Sequence, residues 1–221
     1  IAETAVDYLE DMGGKLYVNA PVDEILTRGG KTLGVSLDGG DEIFAPLVIS
    51  SAGVINTYGK FLRNAPNMKS YSQQLKTITP TPSYVCLYMG LNKSSEELKI
   101  DNTNLWIYPS YDHDKNVSTF LNDVEKDFPV VYVSFPSAKD PAFSEKHPSS
   151  STMEAITVFP WEYYDTWSNK PWKNRGEDYE MLKSKISDRI LEKVYEYVPQ
   201  AREAMDYHEL STPLSVKSLA N

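Results

Sequence analysis

The chain has 221 residues, room for one large domain or two small ones at about 150 residues per domain. Hydrophobic residues make up 41% and charged residues 24%, which excludes disorder, collagen and coiled coil as descriptions of the whole chain. A formal charge of −9 attracts neither a nucleic acid backbone nor an anionic membrane surface, and a single cysteine, Cys86, excludes an internal disulfide and points to a reducing compartment.

In chain order, an apolar stripe (Ile1, Ala5, Leu9, Met12) predicts a helix from the first residue, closed at Gly13-Gly14. A helix without a cap or lead-in gives the expectation of an excised fragment. Lys15–Asn19 reads as a short strand broken by Pro21. Val22–Thr27, Thr32–Leu37 and Glu42–Ala45, joined by the turns at Gly29-Gly30 and Gly39-Gly40, read as a β-meander. Leu47–Ser50 is apolar without alternation, the pattern of a strand covered on both faces in a parallel sheet. Ser51-Ala52-Gly53 follows, small enough for another group to approach the backbone closely.

Met68–Thr77 reads as a helix closed by Thr79-Pro80-Thr81-Pro82. Four β-branched or aromatic runs then predict strands: Tyr84–Met89, Leu105–Tyr108, Val130–Phe135 and Ala155–Phe159. Leu182, Ile186, Ile190, Val194 and Val198 recur at helical spacing, so a long helix spans about 178–197 and ends at Pro199. A last extended piece covers His208–Leu214. The order is α/β-like first, antiparallel sheet plus helix second, with the two lobes joined near 54–66.

Few residues offer chemistry by themselves. His113, His147 and His208 are too scattered for a zinc site, so no metal is expected. Cys86 falls mid-strand, where a small buried hydrophobe is the usual identity. No phosphate-cradling glycine motif occurs. Asp23 and Glu24 are neighbours on a strand and should point to opposite faces, which argues against a shared acid/base site. Tyr84, Cys86 and Tyr88 share one strand face, as do Trp106 and Tyr108, and Val131, Val133 and Phe135. An aromatic sheet face is either packed core or the wall of a pocket for a flat or long apolar ligand. Composition leaves both open.

Beyond these readings, the pattern of residues 13–62 resembles a known block: Gly-Gly-x-Leu, Val22-x-Glu24-Ile25, Gly34-Val35-x-Leu and Leu47-Val48-Ile49-Ser50-Ser51-Ala52-Gly53. The block is that of the phytoene desaturase, carotenoid isomerase and all-trans-retinol 13,14-reductase (retinol saturase) group of FAD-dependent oxidoreductases. Asn56-Thr57-Tyr58, Phe135-Pro136-Ser137-Ala138-Lys139-Asp140-Pro141 with Ser151-Thr152-Met153, Arg175-Gly176-x-Asp178-Tyr179-Glu180-x-Leu182-Lys183 and Ser211-Thr212-Pro213-Leu214 are similar to its reductase branch.

The resemblance implies a fold class of α/β plus α+β. A partial FAD-binding Rossmann-like domain (strand, β-meander, parallel strand) would be joined to a mixed-sheet substrate domain flanked by helices. Residues 1–55 would be the middle of the FAD domain, 56–205 the substrate domain and 206–221 a segment returning to the FAD domain. The group's GxGxxG segment and carboxy-terminal glycine-rich segment are missing from these residues, so the fragment alone is expected to hold no FAD and to be inactive. In the group, the backbone of the valine at Val22 pairs with adenine, and the strand end at Ser51, Ala52 and Gly53 lies near the dinucleotide.

The implied activity is redox chemistry on a polyene, with FAD as cofactor and NAD(P) as a further candidate. Tyr84, Tyr88, Trp106 and Tyr108 would form the polyene wall, and no residue is singled out as catalytic. The implied partner is an apolar polyene, with peripheral membrane contact and no nucleic acid. The expected location is cytoplasmic or peripheral to a membrane, since no signal peptide or run of about 20 apolar residues occurs. The rival readings are a non-catalytic apolar-ligand module and an amine-oxidase-like flavoprotein.

Overall fold

The structure is a computed structural model describing residues 2–66, 68–78 and 82–220. Ile1 and Thr79-Pro80-Thr81, to which the sequence reading assigned a helix start and a helix stop, lie outside the described residues. The chain divides into two compact units, Ile1–Pro80 and Thr81–Asn221.

In the first unit, helix α1 (Ala2–Asp11) precedes an antiparallel meander of β1 (Val22–Arg28), β2 (Lys31–Leu37) and β3 (Glu42–Phe44). Gly29 and Gly30 both take positive φ (58° and 76°), the geometry a two-residue hairpin turn needs to match strand twist. A π-helical turn, Ile55–Phe61, and helix α2 (Met68–Leu75) complete the unit.

Two expected strands are absent. Lys15–Asn19 is irregular, and so is Leu47–Ser50, with Ile49 88% exposed. The expected parallel strand is therefore corrected. An apolar run becomes a strand only beside a hydrogen-bonding neighbour, and among the described residues of this unit none lies alongside it.

The second unit is built on five strands: β4 (Tyr84–Leu91), β5 (Leu105–Ile107), β6 (Val131–Ser134), β7 (Ser151–Val158) and β8 (Met205–Ser211). Their spatial order is β5-β6-β7-β4-β8 and every pairing is antiparallel, which corrects the mixed sheet to an antiparallel one. Hairpin-like and helical returns bring each neighbour back in the opposite sense, so no parallel pair forms. Five helices accompany the sheet: α3 (His113–Asn122), α4 (Pro136–Lys139), α5 (Pro141–Lys146), α6 (Glu177–Tyr197) and α7 (Pro213–Ala220). The segment expected to return to the first lobe forms β8, hydrogen-bonded along β4, and then α7.

Burial explains the layering. In β4, Val85, Leu87, Met89 and Leu91 alternate with Tyr84, Cys86, Tyr88 and Gly90, and only the first set enters the core. Against that face lies the stripe Ile186, Ile190 and Val194 of α6, with Phe120 of α3 in the same core. Each such aliphatic side chain contributes roughly 2 kcal/mol by leaving water. Val198 continues the stripe past the helix end and donates its N–H to the Val194 carbonyl, before Pro199 closes it. The sheet thus keeps one face in the core and leaves the other open.

Candidate functional site

In the first unit a concavity of about 480 Å³ lies between the meander and the π-helical turn. Ser51 and Gly53 line it, with Ile25, Val48, Ser50, Thr57 and Tyr58. The Ser50 and Thr57 hydroxyls share a 2.7 Å hydrogen bond, and the Thr57 N–H donates to the Gly53 carbonyl at 3.0 Å. Ala52 does not line the concavity; its carbonyl accepts the Asn56 amide at 3.0 Å. Val22 stands apart from it as the first residue of the edge strand β1, the kind of strand that presents unpaired backbone groups.

Asp23 and Glu24 correct the alternation argument. The pairing of β1 with β2 slips between Val22 and Glu24, and this bulge brings both carboxylates to one guanidinium. Arg63 donates to the Asp23 carboxylate at 2.6 Å, the Asp23 carbonyl at 2.7 Å and the Glu24 carboxylate at 3.4 Å. Asn64 adds a bond to Glu24 at 2.9 Å. The pair anchors the segment after the π-helical turn to β1 and so shapes the concavity. It is a clamp rather than an acid/base site.

In the second unit the open face of the sheet carries the aromatic side chains. Register sets one continuous row across all five strands: Trp106, Tyr132, Ile156, Cys86 and Ser211. At about 4.8 Å per strand this row is roughly 19 Å long. Trp106 is 62% exposed and packs on Tyr132 with ring centroids 4.7 Å apart. Tyr88 lies in the next row with Ser134, Glu154 and Glu209, and Tyr84 lies beside Val158. Tyr84, Tyr88 and Trp106 therefore share one face of the sheet, 55%, 46% and 62% exposed.

Tyr108 follows β5 and lines, with Trp106, a pocket of about 490 Å³ at the sheet edge. Tyr132, Tyr111 and Tyr197 escaped the sequence reading. Tyr132 alternates with Val131 and Val133, and attention to that aliphatic pair hid it. Tyr197 reaches the pocket only through the placement of α6.

Cys86 and Tyr88 sit at the centre of the open face, with the Glu154 and Glu209 carboxylates opposite Tyr88 in the neighbouring strands. Burial pushes the Cys86 thiol up, and the Glu154 carboxylate adds to that, against a smaller opposing effect of the Tyr88 hydroxyl. Tyr88 is raised in turn, first by its hydrogen bond with Cys86. Cys86 is thus a thiol, not a thiolate, near neutral pH. Its alkylation by a maleimide is expected to rise with pH to a midpoint above that of a free cysteine thiol. A midpoint at or below the free-thiol value, read from the rate against pH, would contradict this placement.

The segments that carried the family resemblance interlock. Tyr179 and Thr212 join hydroxyls at 2.7 Å, and Arg175, 6% exposed, donates to the Leu214 carbonyl at 3.2 Å and Ser218 at 2.9 Å. The guanidinium lies 5.2 Å from the centre of the Tyr179 ring, which offsets part of its desolvation. The Thr152 N–H donates to Ser137 at 2.8 Å, tying α4 to β7. Among the described residues no group of His, Cys, Asp or Glu is suited to a metal, and no helix is long and apolar enough to cross a membrane.

No protein-family model matches the chain. The all-trans-retinol 13,14-reductase of Danio rerio is 32% identical over 228 residues, covering 97% of this chain and 37% of that protein. The chloroplastic prolycopene isomerase of Arabidopsis thaliana is 24% identical, covering 96% of the chain and 33% of that protein. The chain thus spans about a third of the length of these relatives. The crystal structure of an oxidoreductase from Methanosarcina mazei matches 94% of the chain with a TM-score of 0.59 at 18% identity, covering 40% of that chain, a likeness of fold alone. Over nearly its whole length, the chain is similar in sequence to the all-trans-retinol 13,14-reductase of Danio rerio and, more distantly, to the prolycopene isomerase of Arabidopsis thaliana.

Proposed function

We propose that the protein carrying this chain is an FAD-dependent oxidoreductase acting on the double bonds of an apolar polyene, a retinoid or carotenoid. One observation carries the reading: in a chain similar to these enzymes, the sheet face carries a roughly 19 Å row of Trp106, Tyr132, Ile156, Cys86 and Ser211, with Trp106 exposed and the others partly so. Flat rings on a pleated surface suit a conjugated chain, which gains dispersion and stacking along its length. Tyr84, Tyr88, Trp106 and Tyr108 bind and orient that chain.

The first unit is a fair partial fit to a dinucleotide. Ser50, Ser51 and Thr57 offer hydroxyls, no atom lies within 4 Å of where a Gly53 side chain would begin, and β1 offers an edge at Val22. Ala52 would contribute only by its small size. When bound, a flavin supplies hydride transfer, with NAD(P) a candidate electron source. Substrate delivery by peripheral contact with a bilayer belongs to the same proposal.

The test is the visible absorption of the full-length protein, followed by anaerobic addition of retinol and carotenes. A flavin spectrum with conversion of a polyene is the expected result. A colourless protein that takes up no added FAD overturns the reading and leaves a non-catalytic apolar-ligand module. Within the full-length protein, Trp106→Ala is expected to weaken polyene binding about tenfold. Because Trp106 is largely exposed, stability should change by no more than about 1 kcal/mol. Parallel loss of binding and melting temperature would remove Trp106 from the wall.

A further inference from the structure

Among the described residues Arg175 is the one charged side chain that is buried, and it belongs to none of their ion pairs. The carboxylates nearest to it in sequence are otherwise engaged. Asp178 accepts the Trp167 Nε1–H at 3.0 Å, and Glu180 pairs with Lys183 at 3.7 Å. The Leu214 carbonyl, the Ser218 hydroxyl and the face of Tyr179 solvate the guanidinium, but none of them carries a negative charge. A guanidinium taken out of water without a counter-charge is costly, so its persistence in the core calls for an anion.

A second observation says where. Among the described residues only two buried side-chain polar atoms lack a hydrogen-bond partner, Arg175 Nε and the Tyr164 hydroxyl. Both border Tyr179. The guanidinium lies 5.2 Å from its ring centre. Tyr164 belongs to the 3₁₀ turns Trp161–Trp167, whose last residue packs on Tyr179 with ring centroids 5.6 Å apart. Burial, and secondarily Tyr179, pushes the Tyr164 hydroxyl up, so it stays protonated and can donate. One positive charge and two unused donors thus meet between these turns, the start of α6 and α7.

The donors also select the anion. Both Arg175 Nη2 hydrogens are spent, on the Leu214 carbonyl and the Ser218 hydroxyl. Nε–H therefore cannot join Nη2 in the two-pronged grip that carboxylates and phosphates use. Single N–H and O–H donors in a closed site suit a monatomic ion. A water could occupy the donors but would leave the charge unbalanced. We propose that a chloride ion binds between Arg175 Nε and the Tyr164 hydroxyl as counter-ion of the buried guanidinium, and so pins α7 to the start of α6. The inference is independent of the polyene reading.

Melting of this chain in about 200 mM sodium chloride is expected to lie about 4 °C above melting in sodium gluconate of equal ionic strength, and the increment should saturate with chloride. Sulfate should not replace chloride. The chloride NMR line should broaden in the presence of the protein. Tyr164→Phe separates an ion site from a dry one. With the ion, the variant should lose at least half of the chloride increment. Without it, removal of an unpartnered hydroxyl should leave melting unchanged or raise it equally in both salts. Arg175→Gln should abolish the increment and the broadening, and where that variant fails to fold Tyr164→Phe decides alone. Equal melting of the unaltered chain in the two salts overturns the site and leaves a bridging water. An increment undiminished in the variants overturns it as well, because chloride is then bound elsewhere.

Discussion

Phe120→Ala is expected to cost about 3–5 kcal/mol, a large share of the 5–15 kcal/mol that typically holds a domain together. Phe120 is fully buried on α3, with ring centroids 5.6 Å from Phe128 and 5.9 Å from Phe159. Its neighbours have little freedom to close the void. Phe159 is fixed by its N–H bond to the Ser83 carbonyl at 3.0 Å and by the Ser83 hydroxyl on its own carbonyl. The loop carrying Phe128 is held by Arg189, which donates to the Val124 and Lys126 carbonyls at 2.6 Å each and lies 4.5 Å from the Phe128 ring centre. A cavity that cannot collapse loses both transfer energy and ring contacts. Urea unfolding measures the effect, with Phe120→Leu expected to recover at least half. A cost near 1 kcal/mol for the alanine variant would mean that α3 shifts to fill the space. The edge pocket depends on that outcome, because α3 begins at His113 in its wall.

What the sequence made legible follows from period. α6 was readable because its apolar residues recur every four positions and one partner layer suffices to bury them. β4 was readable because Val85, Leu87 and Met89 recur at every second position between Tyr84, Cys86 and Tyr88. β7 was half-legible: Ala155–Phe159 stood out, but the strand starts at Ser151, where Ser, Thr and Glu mask an alternation that burial reveals. Helices α3, α4, α5 and α7 were missed, being short segments whose capping and proline signals sit among polar residues. For the site, period 2 put Tyr84 and Tyr88 on one face, yet which face enters the core depends on what α6 covers. The meeting of Asp23 and Glu24 at Arg63 was hidden for a different reason: a bulge breaks the alternation that the argument assumed. Tyr197 in the edge pocket is a purely tertiary fact.

Gly34→Ala is expected to disrupt the meander by roughly 3 kcal/mol, the sum of backbone strain and overpacking. Gly34 has φ +153° and lies between Leu26 of β1 and Phe44 of β3. A Cβ there would overlap the Ile43 carbonyl oxygen and come within 2.8 Å of the Phe44 Cα. Both are backbone atoms, so no side-chain rotation relieves the clash, and β3 must move away. Gly29→Ala is the matched control: its φ is +58°, but nothing lies within 4 Å of the added atom, so the expected cost is about 1 kcal/mol of backbone strain alone. Amide exchange separates the two. In Gly34→Ala the ladder amides of Val35 and Ile43 should exchange far faster than in Gly29→Ala, while those of Leu87 and Val133, in the other sheet, serve as reference. Unchanged exchange at Val35 and Ile43 would mean that β3 does not approach β2 as closely as the structure has it. The effect extends to the candidate cofactor region, because Ile25 of β1 and Thr32 of β2 form one wall of the first unit's concavity. Glycine at position 34, part of the family-like Gly-Val pair, is therefore required by strand packing, and only through that packing does it bear on the concavity beside Ser51 and Gly53.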